Sequence, residues 1–345
     1  MVQLATNAPT LLDFARRSDN EGKVVSKIIE IAAEVNEVLE DIPWVQGNLP
    51  TGHKSVIRTG YPEATWRKLN YGVQPTKSTT FQVTDSCGML EAYAEVDKRL
   101  AELNGNSQAW RASEDRAHLI GMSEQFAQAL FYGDQTIDPE RITGFAPRFT
   151  APSTDVTRSG YNMIDGGAAD GQTDCLSIWG VAWGEHSVHG IVPKGSEAMG
   201  WKAEDLGEVT LTDAAGGRLQ GYRSHYLWDC GLCVRDWRYI VRICNIDKSS
   251  LTKNAATGAD LIDLLTQLVE RFQDTKVGKP VIYVPRVVKS FLRRQINAKV
   301  APSTLTMENV AGKHVMTFDG VPVKRVDALV DETAILDAAG TFNPA

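Results

Sequence analysis

The sequence predicts an α+β fold: an N-terminal arm and an extended β-hairpin loop, then a domain built on one long helix and a set of strands, then an α/β segment. Three observations carry this. Ser107 to Tyr132 keeps helical spacing without a break, Leu176 to Cys244 changes period from helix to strand, and the chain from Gly258 alternates helix, buried strand and helix.

The arm comes first. Lys23 to Asp41 reads as an amphipathic helix with Val24, Ile28, Ile31, Val35 and Val38 on one face, stopped by Pro43. Its charges run against the helix dipole, with Lys23 and Lys27 at the start and Glu34, Glu37, Glu40 and Asp41 at the end. Glu30, Glu34 and Glu37 share one side, either as a solvated acidic face or as a stripe met by a basic surface on a neighbouring subunit. From Gln46 to Cys87 the chain turns polar and irregular, broken by Gly47, Pro50, Gly52, Gly60, Pro62, Gly72 and Pro75. Short strand-like runs lie at Ser55 to Thr59 and Thr79 to Thr84. Loops of this length are functional or mobile. The first ninety or so residues carry too little apolar surface to fold alone. They are therefore expected to find shelter on sister copies and none on their own chain.

Glu91 to Leu103 reads as a helix with Ala92, Val96, Leu100 and Leu103 on one face, closed by Asn104 and Gly105. In Ser107 to Tyr132 the apolar positions are Leu119, Met122, Phe126 and Leu130, ended by Gly133 and Asp134; at 1.5 Å per residue this is a rod of about 40 Å. LSIWGVAWG, from Leu176, is apolar on both faces and reads as a buried strand, followed after a turn by HSVHGIVPKGS. Farther on, Trp237, Tyr239, Val241 and Ile243 alternate with Arg238, Ile240 and Arg242, which predicts one greasy face and one bearing guanidinium groups. Tyr222, Tyr226 and Trp228 similarly oppose Arg223, His225 and Asp229, and an antiparallel meander is the economical arrangement. After Gly258, Leu261, Leu264, Leu265, Leu268 and Phe272 define a helix face, Pro280 to Val284 a short buried strand, and Pro285 the opening of another helix. Asp319 and Gly320, between VMTF and VPVKRV, are a two-residue hairpin turn. The chain has no internal repeat.

Composition narrows the class. The 345 residues are 43% hydrophobic and 23% charged, ordinary for a soluble globular protein of two or three domains. No apolar run approaches the roughly 20 residues of a membrane span, and the first residues lack the order of a signal peptide, so a cytosolic origin is expected. Five cysteines at unrelated spacings fit reduced thiols. A net charge of -7 disfavours a protein whose task is gripping nucleic acid.

Candidate chemistry is sparse. Cys230 and Cys233 form a CxxC without a second pair, the only comparable spacing being His186 with His189, and residues three apart on a strand point to opposite faces. The plainer reading is buried thiols in a sheet. GGAADG, Gly166 to Gly171, lacks the lysine and hydroxyl residue of a phosphate loop and reads as a surface loop. There is no GxSxG elbow, and Arg238 and Arg242 are better placed to pair with Asp236 or another carboxylate than to bind phosphate. No catalytic, cofactor-binding or metal-binding residue is therefore expected.

LSIWGVAWGEHSVHGIVPKGS (Leu176 to Ser196), YRSHYLWDCGLCVRDWRYIVRICNID (Tyr222 to Asp247) and FDGVPVKRVDAL (Phe318 to Leu329), in this order behind the arm and loop, resemble segments of tailed-bacteriophage major capsid proteins of the Hong Kong 97-type fold, in the short-tailed-phage branch. The resemblance covers nearly the whole chain. It implies an N-terminal arm at residues 1–45, an extended loop at 46–88, a peripheral domain at 89–257 with its spine helix at 107–132 and strands at 176–247, and an axial domain with a C-terminal return at 258–345. It further implies a coat protein that assembles with itself into hexamers and pentamers of an icosahedral shell. The shell would be built in the host cytoplasm, would enclose double-stranded DNA without sequence-specific binding, and would have no membrane. The few residues before the first helix imply a separate scaffolding protein; the resemblance adds a portal protein and leaves the presence of a cement or decoration protein open. Lys54, Lys68 and Lys77 lie in the loop, but nothing marks a crosslinking acceptor, and no crosslink is expected. The rival readings are another virion component, such as a ring or tube protein, and a metal or thiol enzyme using Cys230 or Cys233.

Overall fold

In the computed structural model the described residues are 36–335, apart from 104–106, 170, 197–199, 213–215, 252–259, 275–276, 299–304 and 311–312. The core is organised around one strand, β5 (Cys175–Trp183), which is buried along its whole length as its two-sided apolar pattern predicts. It pairs antiparallel with β9 (Ile240–Asp247) and with β10 (Lys279–Val284). On one face Trp179 meets Phe131, Phe145 and Phe149, with ring centroids 5.7–6.2 Å apart. These come from the end of the long helix α2 (Ser107–Tyr132) and the segment after it. The other face receives the helix α3 (Leu261–Arg271) at Gly180, where an added Cβ would stand 2.6 Å from Leu268. A glycine here lets the helix approach the sheet closely.

The rest of the sheet extends both ways. On one side β10 pairs in parallel with β13 (Val321–Arg325), which continues through β12 (Lys313–Phe318) to β11 (Leu305–Val310). The Asp319–Gly320 turn has φ of 49° and 75°, the paired positive values of the two-residue hairpin its sequence predicts. The helix α4 (Arg286–Ala298) follows Pro285, as expected. On the other side lie β6 (Val188–Val192), β8 (Arg218–Val234), β3 (Thr79–Asp97) and β2 (Gly52–Gly60), with β7 (Trp201–Thr212) also on β8. The short strands β1 (Trp44–Gln46) and β4 (Met163–Asp165) run parallel to β6 and β9. The sheet is thus mixed and is not a simple antiparallel meander.

Four local expectations are corrected. Glu91 to Asp97 is not helical but is the end of β3, paired residue for residue with Leu227 back to Gly221 of β8. Ala92, Ala94 and Val96 also satisfy a period of two, and the long partner strand decides between the two periods. Only the short helix α1 (Lys98–Glu102) follows, capped by the Asp97 side chain.

The greasy-and-charged strand at Trp237 to Ile243 fails for a different reason. Trp237–Tyr239 is a 3-10 turn, and the strand begins at Ile240, buried on both faces. Arg242 is therefore enclosed, at 3% exposure. Arg238 does pair with Asp236, at 2.6 Å.

The arm is the third correction. Most of the expected helix lies outside the described residues, and its visible end, Glu37–Glu40, is a 3-10 turn. That end is not left for a sister molecule. Val38 and Ile42 are buried in the chain's own core, Trp44 packs on Phe126 and Trp228, and β1 adds to β6. The acidic end meets bases of its own chain, Glu37 with Lys289 at 3.3 Å and Asp41 with Lys324 at 2.5 Å.

The fourth concerns the loop, where the strand runs are longer than their sequence signals. β2 covers nine residues and β3 nineteen, and β3 continues past residue 88 into the sheet. Gly166 to Gly171 does follow a strand, the three-residue β4, yet still lacks the lysine and hydroxyl of a phosphate loop.

Candidate functional site

The most conspicuous surface is the tip of the β2–β3 hairpin. The two strands pair from Gly52↔Ser86 to Gly60↔Thr79, with a bulge between Arg58 and Gly60. Beyond them residues 61–78 have no regular structure and are exposed throughout. This segment carries Trp66 at 100% exposure, Leu69 at 88% and Tyr71 at 69%. Large apolar side chains held this far out mark a surface made for contact with another molecule. Within the tip, Thr76 Oγ1 donates to the Glu63 carbonyl and Tyr71 N–H to the Lys68 carbonyl. Nothing in these two bonds would hold the tip against the body.

The root of the same hairpin is the reverse, polar and enclosed. His53 on β2 stands opposite Asp85 on β3. Asp85 accepts a hydrogen bond from Arg148 at 2.8 Å, and Arg235 Nη2 lies 3.1 Å from His53 Nε2. On the neighbouring strands His189 of β6 pairs with Cys233 of β8. The rings of His53 and His189 meet edge to face at 5.8 Å. Burial, then the Arg235 charge, holds both imidazoles below their usual pKa, His189 at about 4. Asp85 and, for His189, the Gly184 backbone oppose this.

The predicted CxxC is not a unit. Cys230 packs into the main core with Leu232 and Val234, whereas Cys233 faces the hairpin root. His186 lies exposed in a turn, apart from buried His189. Burial pushes the Cys230 thiol far up, Cys233 and Cys244 up to about 12, and Cys87 and Cys175 up to about 11. All five cysteines are free thiols. Such thiols are poor nucleophiles, because the thiolate is the reactive form. Arg242 is committed as well, donating to Glu332 at 2.6 Å and to the Phe149 carbonyl at 2.8 Å while lying over the Trp179 ring. No helix among the described residues is long and apolar enough to cross a membrane.

A mixed sheet braced by a long helix, with an apolar-tipped hairpin reaching out from it, is the build of a shell-forming subunit of the Hong Kong 97 type. The chain belongs to the major capsid protein GP7 family, whose sequence profile matches residues 19–336. A chain from bacteriophage Epsilon15 is 35% identical, with a TM-score of 0.75 over 98% of this chain and 100% of that one. The bacteriophage JBD30 capsid gives 9% identity and a TM-score of 0.46 over 87% of this chain and 93% of that one. The capsid of a native GTA particle gives 11% and 0.44 over 70% and 99%. No curated protein matches. The chain is a structural capsid protein of a tailed phage and a virion component, it assembles with itself into the shell, and it is not an enzyme.

Proposed function

We propose that the hairpin tip, residues 61–78, docks on a neighbouring copy of the chain as subunits join into the hexamers and pentamers of an icosahedral shell around double-stranded DNA. The observation that carries this is the full exposure of Trp66, with Leu69 and Tyr71 beside it. Left in water these side chains forgo roughly 1.5–3 kcal/mol each of burial free energy. A contact repeated around a ring recovers it. Loss of rigid-body freedom and ordering of the tip offset part of the gain, which keeps each contact modest and assembly correctable.

In this reading residues 1–45 are the arm, 46–88 the extended loop, 89–257 the peripheral domain and 258–345 the axial domain with its return. Assembly takes place in the host cytoplasm with a separate scaffolding protein and a portal protein. The support for these partners is membership of a capsid family. The DNA is enclosed without sequence reading, in keeping with a net charge of -7.

The test is limited proteolysis of free subunits and of shells, together with Trp66→Ala and Leu69→Ser. Free subunits should be cut within 61–78 and shells protected there. The variants should fold with unchanged circular dichroism yet form few or no shells by electron microscopy. Equal protection in both states, or normal shells from both variants, would count against the proposal.

A further inference from the structure

Three strands bring three metal-type donors to one enclosed point at the hairpin root. The ligand atoms of His53, His189 and Cys233 all lie within 4.8 Å of one another, and all three residues are buried. His53 Nδ1, both ring nitrogens of His189 and Asp85 Oδ2 have no hydrogen-bond partner among the described residues; the Gly184 backbone approaches His189, and the Cys233 thiol approaches the Asp85 carboxylate, without meeting hydrogen-bond geometry. Buried polar atoms left unpaired carry an uncompensated desolvation penalty. Their concentration at a point that also holds a thiol is what a ligand would repair.

We propose that His53, His189 and Cys233 bind one divalent transition-metal ion of the zinc type, a three-residue donor set that leaves the fourth tetrahedral position to a water molecule. Around tetrahedral zinc, with bonds of about 2.0–2.3 Å, donor atoms sit roughly 3.3–3.8 Å apart. Donors already within 4.8 Å reach that spacing by side-chain rotation. Both imidazoles are held neutral near neutral pH, the form that offers a lone pair. The Cys233 proton is lost to solvent on binding, leaving a thiolate–metal bond.

Two arginines flank the site. Arg148 holds Asp85 Oδ1, and Arg235 touches His53 Nε2. The thiolate and the Asp85 carboxylate offset the ion's charge, and the Arg235 guanidinium gives way whichever His53 nitrogen binds, because its donation to Nε2 puts the imidazole proton on Nδ1. Such an ion would tie β2 and β3 to β6 and β8, fixing the root from which the tip projects. The inference stands on the fold of a single chain and does not depend on how shells assemble.

The test uses the full-length purified chain, stripped with EDTA and titrated with cobalt(II), then with zinc. The expected result is saturable uptake of one cobalt per chain, with a thiolate-to-cobalt charge-transfer band that one equivalent of zinc abolishes. Cys233→Ser should lose the band and His189→Gln should weaken binding, while Cys230→Ser should behave as the parent. X-ray absorption of the zinc-loaded parent, which needs no variant to fold, should show sulfur in the first coordination sphere. No saturable uptake, a band unchanged in Cys233→Ser, or a coordination sphere of nitrogen and oxygen alone would overturn the proposal.

Discussion

Arg242 and Glu332 form an enclosed ion pair, 2.6 Å apart, that joins the central sheet to the segment returning near the end of the chain. The guanidinium is 3% exposed and the carboxylate 12%. Ser177 also donates its hydroxyl to Glu332, and the backbones of Cys175 and Glu332 bridge. Removing one partner of such a pair strands the other charge away from water. Glu332→Ala should therefore destabilise the subunit by about 3–5 kcal/mol, whereas replacing both charges with apolar side chains of similar volume should cost much less. Denaturant unfolding of the single and double variants measures the difference; equal losses would show that the pair is not a closed unit.

Close approach of α3 to β5 depends on Gly180. Gly180→Val should cost about 1–3 kcal/mol by overpacking against Leu268 and Phe272. Adding Leu268→Ala should restore part of the loss, because the second change vacates the space the first one needs. A thermal melt of the three proteins reads this, and strictly additive losses would refute it.

Low pH should loosen the hairpin root. His189 resists protonation down to about 4 because it is buried and faces Arg235 and His53. As pH falls, the unfolded chain takes up this proton first, near the ordinary histidine value of about 6.5. The stability from the neutral ring is present in full above that value and is lost as pH drops toward 4, by up to about 3 kcal/mol. In EDTA, urea midpoints of the parent should fall more steeply across this window than those of His189→Gln. Parallel curves would remove His189 as the cause.

The thiols should behave in the opposite sense. Cys87 and Cys175 are raised to about 11, and Cys233 and Cys244 to about 12, all chiefly by burial. Their contribution to stability is complete below the free-thiol value near 9 and declines as pH rises toward 11 to 12. At about pH 8 the native chain should alkylate slowly, with half-buried Cys87 first, and denaturant should release all five. Mass spectrometry of iodoacetamide adducts decides; rapid native labelling of Cys233 or Cys244 would be inconsistent with this burial.

By itself the sequence determined the elements whose signals are local. The face from Leu261 to Leu268, the two-sided run from Leu176 to Trp183, the Asp319–Gly320 turn and the long helix at Ser107–Tyr132 follow from periodicity, capping and turn chemistry within a few residues. Three of the four apolar positions on that helix, Met122, Phe126 and Leu130, are buried as expected, and Leu119 is exposed. What depends on partners distant in the chain was decided only by tertiary structure. Glu91 to Asp97 became strand because β8 was there to pair with it, and Val38 and Ile42 found shelter in their own core. Arg242 is buried because Glu332 arrives from 90 residues away, and His53 meets Arg235 across 182. Local propensities differ by fractions of a kcal/mol per residue, whereas a long sheet ladder or an enclosed charge weighs several, so long-range contacts settle the cases that local patterns leave balanced.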